Sequence, residues 1–246
     1  MARTGLRWLK NHWRGLVAWV AVLGMGYALV TAHFCGRLVM LRRQMQPGEV
    51  WRYTLTQTLQ LNEQTAQLQL AITDTVLSVQ SDGSALVERT LHGDPEILQI
   101  LQEQMHLFGK LPQRMRLRFT PDGEEIPLQD TATLLTSIPY AFPRKAVAIG
   151  DEWERLQTLG TMRTRYRCRL VGEATVQGVP CWKIVAKAEP FAHSLPQIHG
   201  EVTIYLDHKR QWTRAMHGTL MMSAGNFQGS MYLVLNGSPT TQGGRP

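Results

Sequence analysis

From Gly15 to Phe34 the chain reads GLVAWVAVLGMGYALVTAHF, without a single Asp, Glu, Lys or Arg. A helix of about 20 such residues matches the roughly 30 Å hydrocarbon layer of a bilayer. Trp8, Trp13 and Trp19 cluster toward its first end, where indole rings favour the headgroup layer. Residues 15–36 are therefore expected to be a transmembrane anchor, and residues 1–14 a basic cytoplasmic head. A buried core helix rarely lacks charge over such a length while carrying bases on both flanks. A cleaved export signal is the nearer rival, with Val30 and Ala32 at the −3 and −1 positions, but the run exceeds the roughly 7–15 apolar residues of such signals.

The formal charge of +7 raises the question of a polyanionic partner, which its distribution answers. Arg3, Arg7, Lys10, Arg14, Arg37, Arg42 and Arg43 come with no acid among them; of 26 bases, 19 remain to face all 19 acids. The excess brackets the apolar run instead of covering a folded surface, so no nucleic-acid partner is expected. Four bases before the run against three after it favour an inside N-terminus and an extracytoplasmic domain at a cell membrane. Three cysteines are too few for a disulfide framework.

After the anchor, alternation of apolar and polar residues replaces helical periodicity, and Gly, Asp and Pro punctuate the runs. Trp51 to Leu61, Ala66 to Val79, Ser84 to Leu91, Arg114 to Thr120, Met162 to Val171, Trp182 to Ala188, Glu201 to Leu206, Trp212 to Ser223 and Gly229 to Leu235 read as strands. Ser81-Asp82-Gly83, Pro121-Asp122-Gly123 and Gln177-Gly178 read as turns, with Gly supplying positive φ. Two helices are expected between strands. Asp94 and Pro95 open the first, whose apolar stripe includes Leu98 and ends at Gly109 and Lys110; Asp130 caps the second, Thr131 to Ile138, which Pro139 stops.

Gly48-Glu49-Val50-Trp51 and Gly150-Asp151-Glu152-Trp153 echo one another and each open a strand, hairpin, connection and strand. The expected fold is mainly β: an N-terminal transmembrane helix, then a curved antiparallel sheet or partly closed barrel built from two similar halves, 48–128 and 150–235, with one or two short helices packed on it. This extracytoplasmic domain covers 44–236, and the polar Gly/Pro-rich stretch 237–246 is expected to be a disordered tail.

Ile149-Gly150-Asp151-Glu152-Trp153 and the phrase from Leu170 to Ile184, LVGEATVQGVPCWKI, resemble recurring phrases of uncharacterised bacterial exported, lipoprotein-type β domains. The resemblance implies an envelope location and a curved sheet similar in outline to periplasmic lipoprotein carriers, and it brings no catalytic residues. The chain departs from the lipoprotein members at Phe34-Cys35, where a small residue would precede a lipidated cysteine.

Arg163, Arg165, Arg167 and Arg169 alternate along one run, and Arg114, Arg116 and Arg118 along another, so each set leaves one face of its strand. They form candidate anion-facing stripes for lipid headgroups or an acidic envelope polymer; the plainer reading pairs them with Glu88, Glu173 or Glu201 across the sheet. On the opposite faces Met115, Leu117, Phe119 and Tyr166, with the helical stripe Ile97, Leu101, Met105 and Phe108 and a patch at Leu134, Leu135 and Ile138, are candidates to line an apolar cavity or to fill a core. The histidines show no metal-binding spacing, with His193 and His199 the only pair flanking one loop. Asp151, Glu152 and Glu154 read as a turn opening a strand and not as an acid–base group, and no nucleophile elbow, phosphate loop or dinucleotide fingerprint occurs.

Centring a hairpin on Gln177-Gly178 sets Cys168 opposite Lys187 and Cys181 opposite Ala174, too far apart to bond unless a bulge slips the register. The sequence thus points to a non-enzymatic, membrane-anchored β domain, without cofactor or metal. It would bind a hydrophobic or amphiphilic ligand or an envelope partner; the alternative is an assembly module without a cavity.

Overall fold

A computed structural model describes residues 38–61, 64–94, 113–128, 142–159, 162–191, 197–224 and 227–240. The chain divides into two units, 1–38 and 39–246, and only Leu38 of the first is among the described residues. The expected anchor at 15–36 and both expected helices fall outside them, and the described part contains no helix. No helix among the described residues is long and apolar enough to cross a membrane.

Eleven strands follow in order: β1 (Val50–Leu61), β2 (Gln64–Val79), β3 (Ala85–Gly93), β4 (Arg114–Phe119), β5 (Glu125–Pro127), β6 (Glu152–Leu159), β7 (Met162–Val176), β8 (Val179–Pro190), β9 (Gln197–Asp207), β10 (Thr213–Ala224) and β11 (Phe227–Pro239). They form one antiparallel sheet in the order β5-β4-β3-β2-β1-β11-β10-β9-β8-β7-β6. Two meanders are joined where β11 pairs with β1, from Trp51 opposite Pro239 to Leu61 opposite Gly229. The edges β5 and β6 are not paired to each other, so the barrel is not closed by backbone bonds.

Alternation decides which side chains turn inward. Trp51, Tyr53 and Leu55 on β1, Leu68, Leu70 and Ile72 on β2, Val202, Ile204 and Leu206 on β9, and Leu233 and Leu235 on β11 are all buried. Turn chemistry is equally local. Gly83 and Gly123 have φ near 81° and 84°, and Gln177 and Gly178 both have positive φ, the conformation a two-residue hairpin demands.

The sheet nonetheless curls until its edges meet at one end. Arg155 of β6 reaches Asp122 in the β4–β5 turn, Nη2 to Oδ2 at 3.3 Å, and donates to the Phe142 carbonyl, whose own N–H donates to the Asp122 carbonyl. Burial pushes the Asp122 carboxyl up, but the Thr120 hydroxyl and the Arg155 guanidinium outweigh it, and its pKa is net lowered. A lowered folded-state value contributes stability above the unfolded carboxylate pKa of about 4 and loses it as pH falls through the folded value. Asp122→Asn is therefore expected to flatten the loss of stability below about pH 4. Parallel urea midpoints for the two proteins between about pH 5 and pH 2 would contradict this.

A strap from Val39 to Gly48 laces the same end. Val39 and Val147 exchange backbone hydrogen bonds of 2.8 and 2.9 Å, Arg43 N–H donates to the Pro121 carbonyl, Gln44 N–H to the Arg210 carbonyl and Gly48 N–H to the Val76 carbonyl. Gln211, at φ 58° in the β9–β10 turn, donates from Nε2 to the Met40 carbonyl at 3.1 Å and accepts from Arg42 N–H through Oε1. A glycine would suit that backbone better, but only an amide side chain clamps the strap.

Two boundaries shift from the sequence expectation. The folded unit begins at Val39 rather than at residue 44, because Leu41 and Arg43 are buried in it. Arg43, counted above as a membrane-flanking base, instead lies over the Phe119 ring (4.5 Å) and the Trp212 ring (5.0 Å). The last strand runs to Pro239, past the expected start of the tail. Gly237, placed in the tail by its sequence, is small because a Cβ there would lie 2.3 Å from the Thr213 carbonyl oxygen and 2.7 Å from the Tyr53 ring.

Candidate functional site

Three neighbouring rows cross the inner face from β7, the first two to β1 and the third to β11. The first is Leu170, Ile184, Ile204, Met216, Leu235 and Leu55, each opposite the next. All six are large and buried. The second is Cys168, Ala186, Val202, Gly218, Leu233 and Gln57. The third is Tyr166, Ala188, Gly200, Leu220 and Met231.

Ala186, Ala188, Gly200 and Gly218 thus sit together on three adjacent strands, a floor of small side chains between walls of large ones. The glycines have a backbone reason. A Cβ on Gly218 would lie 2.2 Å from the Glu201 carbonyl oxygen, and one on Gly200 would lie 2.1 Å from the Thr219 carbonyl oxygen. β9 and β10 approach too closely there for any side chain, which is how glycine lets a sheet bend sharply. The alanines have no such requirement, and both are buried, Ala186 at 0% and Ala188 at 1% exposure.

Gln57 stands at the end of the second row. It is 5% exposed, with Leu55, Leu68 and Leu233 around it, and its Oε1 has no hydrogen-bond partner among the described residues. Cys168, at the opposite end of the row, is a buried free thiol whose pKa burial pushes up to about 12, so it stays a neutral apolar wall at physiological pH. Cys181 is also free. The β7–β8 register agrees with the expected Ala174–Cys181 pairing, but a bulge between Leu170 and Gly172 moves Cys168 opposite Ala186 instead of Lys187. That slip does not bring the two sulfurs into a bond.

The strand-borne candidates read from the sequence divide between two regions. Met115, Leu117 and Phe119 are fully buried on β4 against β3, where Phe119 packs on Trp212 (5.9 Å) and under Arg43 and Arg89. They belong to a filled, charge-bearing core rather than to the small-residue floor. Tyr166 is buried in the third row beside Ala188. Ile97, Leu101, Met105 and Phe108 lie outside the described residues, as do Leu134, Leu135, Ile138 and His193.

Both arginine ladders leave the outer face. Arg114, Arg116 and Arg118 are exposed on β4, and Arg163, Arg165, Arg167 and Arg169 on β7. Carboxylates are interleaved with them. Arg114 pairs with Glu88 at 3.3 Å, and Arg167 with Glu154 at 3.7 Å and Glu189 at 3.6 Å. Arg165 lies 5.7 Å from the Phe191 ring. Glu154 is thereby an outer-face ion-pair partner, and Asp151 accepts from Ala148 N–H, which accounts for both acids structurally. No group of three or more His, Cys, Asp or Glu residues able to hold a metal occurs among the described residues.

No protein-family model and no curated protein sequence matches the chain. Among solved structures it is similar to a domain assigned to outer membrane lipoprotein sorting from Vibrio parahaemolyticus, at 8% identity and a TM-score of 0.26, covering 82% of this chain and 89% of that one. It is also similar to a protein assigned as a lipoprotein from Parabacteroides distasonis, at 12% identity and a TM-score of 0.34, covering 80% and 98%. A third is a LolA superfamily protein from Nitrosomonas europaea, at 8% identity and a TM-score of 0.23, covering 79% and 86%.

Proposed function

We propose that residues 39–239 form a non-enzymatic, carrier-like domain that takes a hydrophobic or amphiphilic ligand against its inner face, while the apolar run at 15–36 anchors the chain in a membrane with this domain outside the cytoplasm. The observation that carries the ligand reading is the floor of Ala186, Ala188, Gly200 and Gly218 in a sheet that curls without closing. A face built only as core fills such a place with Leu, Ile or Phe, because interiors pack to crystal-like density.

The anchor reading is supported by the placement of charge. With Arg43 buried in the domain, fewer bases remain after the apolar run, which strengthens the bias toward an inside N-terminus. The second reading, a docking module of the envelope, is favoured by β6, an edge of 8 residues with no strand on its outer side among the described residues.

The two readings separate in one experiment. Full-length chain extracted from membranes is expected to retain acyl lipid through washing, and Ala186→Phe, which fills the floor, to retain several-fold less while remaining folded. Retention no greater than that of an unrelated single-span protein would remove the carrier reading and leave the docking one.

A further inference from the structure

Gln57 breaks an otherwise apolar series. Along β1 the inward positions run Trp51, Tyr53, Leu55 and then Gln57, and the first three are at most 4% exposed. Glutamine at 5% exposure has lost its water, yet Oε1 has no hydrogen-bond partner among the described residues. A buried acceptor left unmade is costly, and a same-sized Leu or Met would avoid the cost while packing as well. Structural need therefore does not explain the residue.

Its position offers an explanation. Gln57, Leu233 and Gly218 are consecutive partners across β1, β11 and β10, so the amide shares a row with the small-residue floor. An acyl chain reaching Gly218 and Ala186, the latter 0% exposed as the chain stands, would displace what covers them and lie along apolar side chains for most of its length. One group able both to donate and to accept then meets its polar end.

We propose that Gln57 is the polarity-reading residue of the binding face, and that the ligand is an acyl amphiphile bearing an uncharged N–H or O–H at the junction of its chain and its head, such as a secondary amide or a hydroxyl beside an ester. A bare carboxylate suits it less, since an unprotonated acid brings no donor to Oε1 and no cation is described in this row. This rests on the carrier reading above and sharpens it to a ligand class.

The test uses the full chain held in amphipol, with N-phenyl-1-naphthylamine as a neutral fluorescent reporter. Displacement by N-methyldodecanamide is compared with displacement by a hydrocarbon of equal length, each corrected for empty amphipol. The amide is expected to displace the reporter at about a tenfold lower concentration, and Gln57→Leu to bring the ratio near one without lowering Tm. Gln57→Met serves as a second variant should leucine prevent folding. A ratio unchanged in a folded variant overturns the role of Gln57 and leaves the carrier reading standing. A lowered Tm in both variants overturns it too, by showing the amide to be partnered within the fold. If the wild-type chain binds neither reporter nor amide, the carrier reading falls with it.

Discussion

Arg89→Leu is expected to destabilise the domain by about 3–5 kcal/mol, the usual cost of removing one partner from a buried ion pair. Arg89 is 2% exposed, and its guanidinium meets Asp74 twice, Nε to Oδ1 at 2.7 Å and Nη2 to Oδ2 at 2.8 Å. Nη1 reaches Glu125 Oε2 at 2.9 Å, and Arg43 approaches the other oxygen of that carboxylate at 3.6 Å. Burial disfavours the charge on Arg89, and Asp74 and Glu125 outweigh it, holding the guanidinium well above its ordinary pKa. Two cations thus answer two anions inside the core. Leucine in place of Arg89 leaves Asp74 without the bidentate partner that compensates its desolvation.

The comparison is Arg114→Leu, whose side chain is 71% exposed and whose pair with Glu88 spans 3.3 Å in water. Such surface pairs contribute about 0–1 kcal/mol. Urea unfolding of both variants, followed by the fluorescence of the stacked Trp51 and Trp212 (5.2 Å), measures the contrast. Equal midpoints would show that the buried network does not hold β5 and the strap to β2 and β3.

Gly218→Ala is expected to cost about 3 kcal/mol or more, the upper end for overpacking, because the atom in its way is backbone. The new Cβ would lie 2.2 Å from the Glu201 carbonyl oxygen and 2.6 Å from Val202 Cα. Neither can move without breaking the β9–β10 ladder. Thr219→Ala, one residue along on the outer, exposed face, is expected to change stability by less than about 1 kcal/mol. A Gly218→Ala midpoint as close to wild type as that of Thr219→Ala would mean that the strands separate easily and that the close approach does not shape the sheet.

Much of this architecture was legible because its causes are local. Nine of the eleven strands follow from period-two alternation, and their hairpins from Asp82-Gly83, Pro121-Asp122-Gly123 and Gln177-Gly178. β5 has only 3 residues, too few to show a period, and β6 carries charges on its outer face beside a turn, so it read as a turn and its opening. The buried polar residues did leave a trace. Gln57, Asp74 and Arg89 each interrupt an inward apolar series, and a polar residue in such a place must find a partner, a water or a ligand. That Asp74 and Arg89 answer each other, while Gln57 Oε1 meets no donor among the described residues, cannot be seen in either strand alone.

The sequence by itself determined the strands, the turns, the two faces of the sheet and an N-terminal run suited to hydrocarbon, since each depends on residues near one another in the chain. Only the tertiary structure decided that β11 joins the two meanders, that Arg155 and Asp122 bring the edges together, that Arg43 lies inside the core, and that small residues from three strands make one floor. Those outcomes depend on register and curl, which are settled by contacts between residues scores of positions apart and therefore leave no periodic mark along the chain.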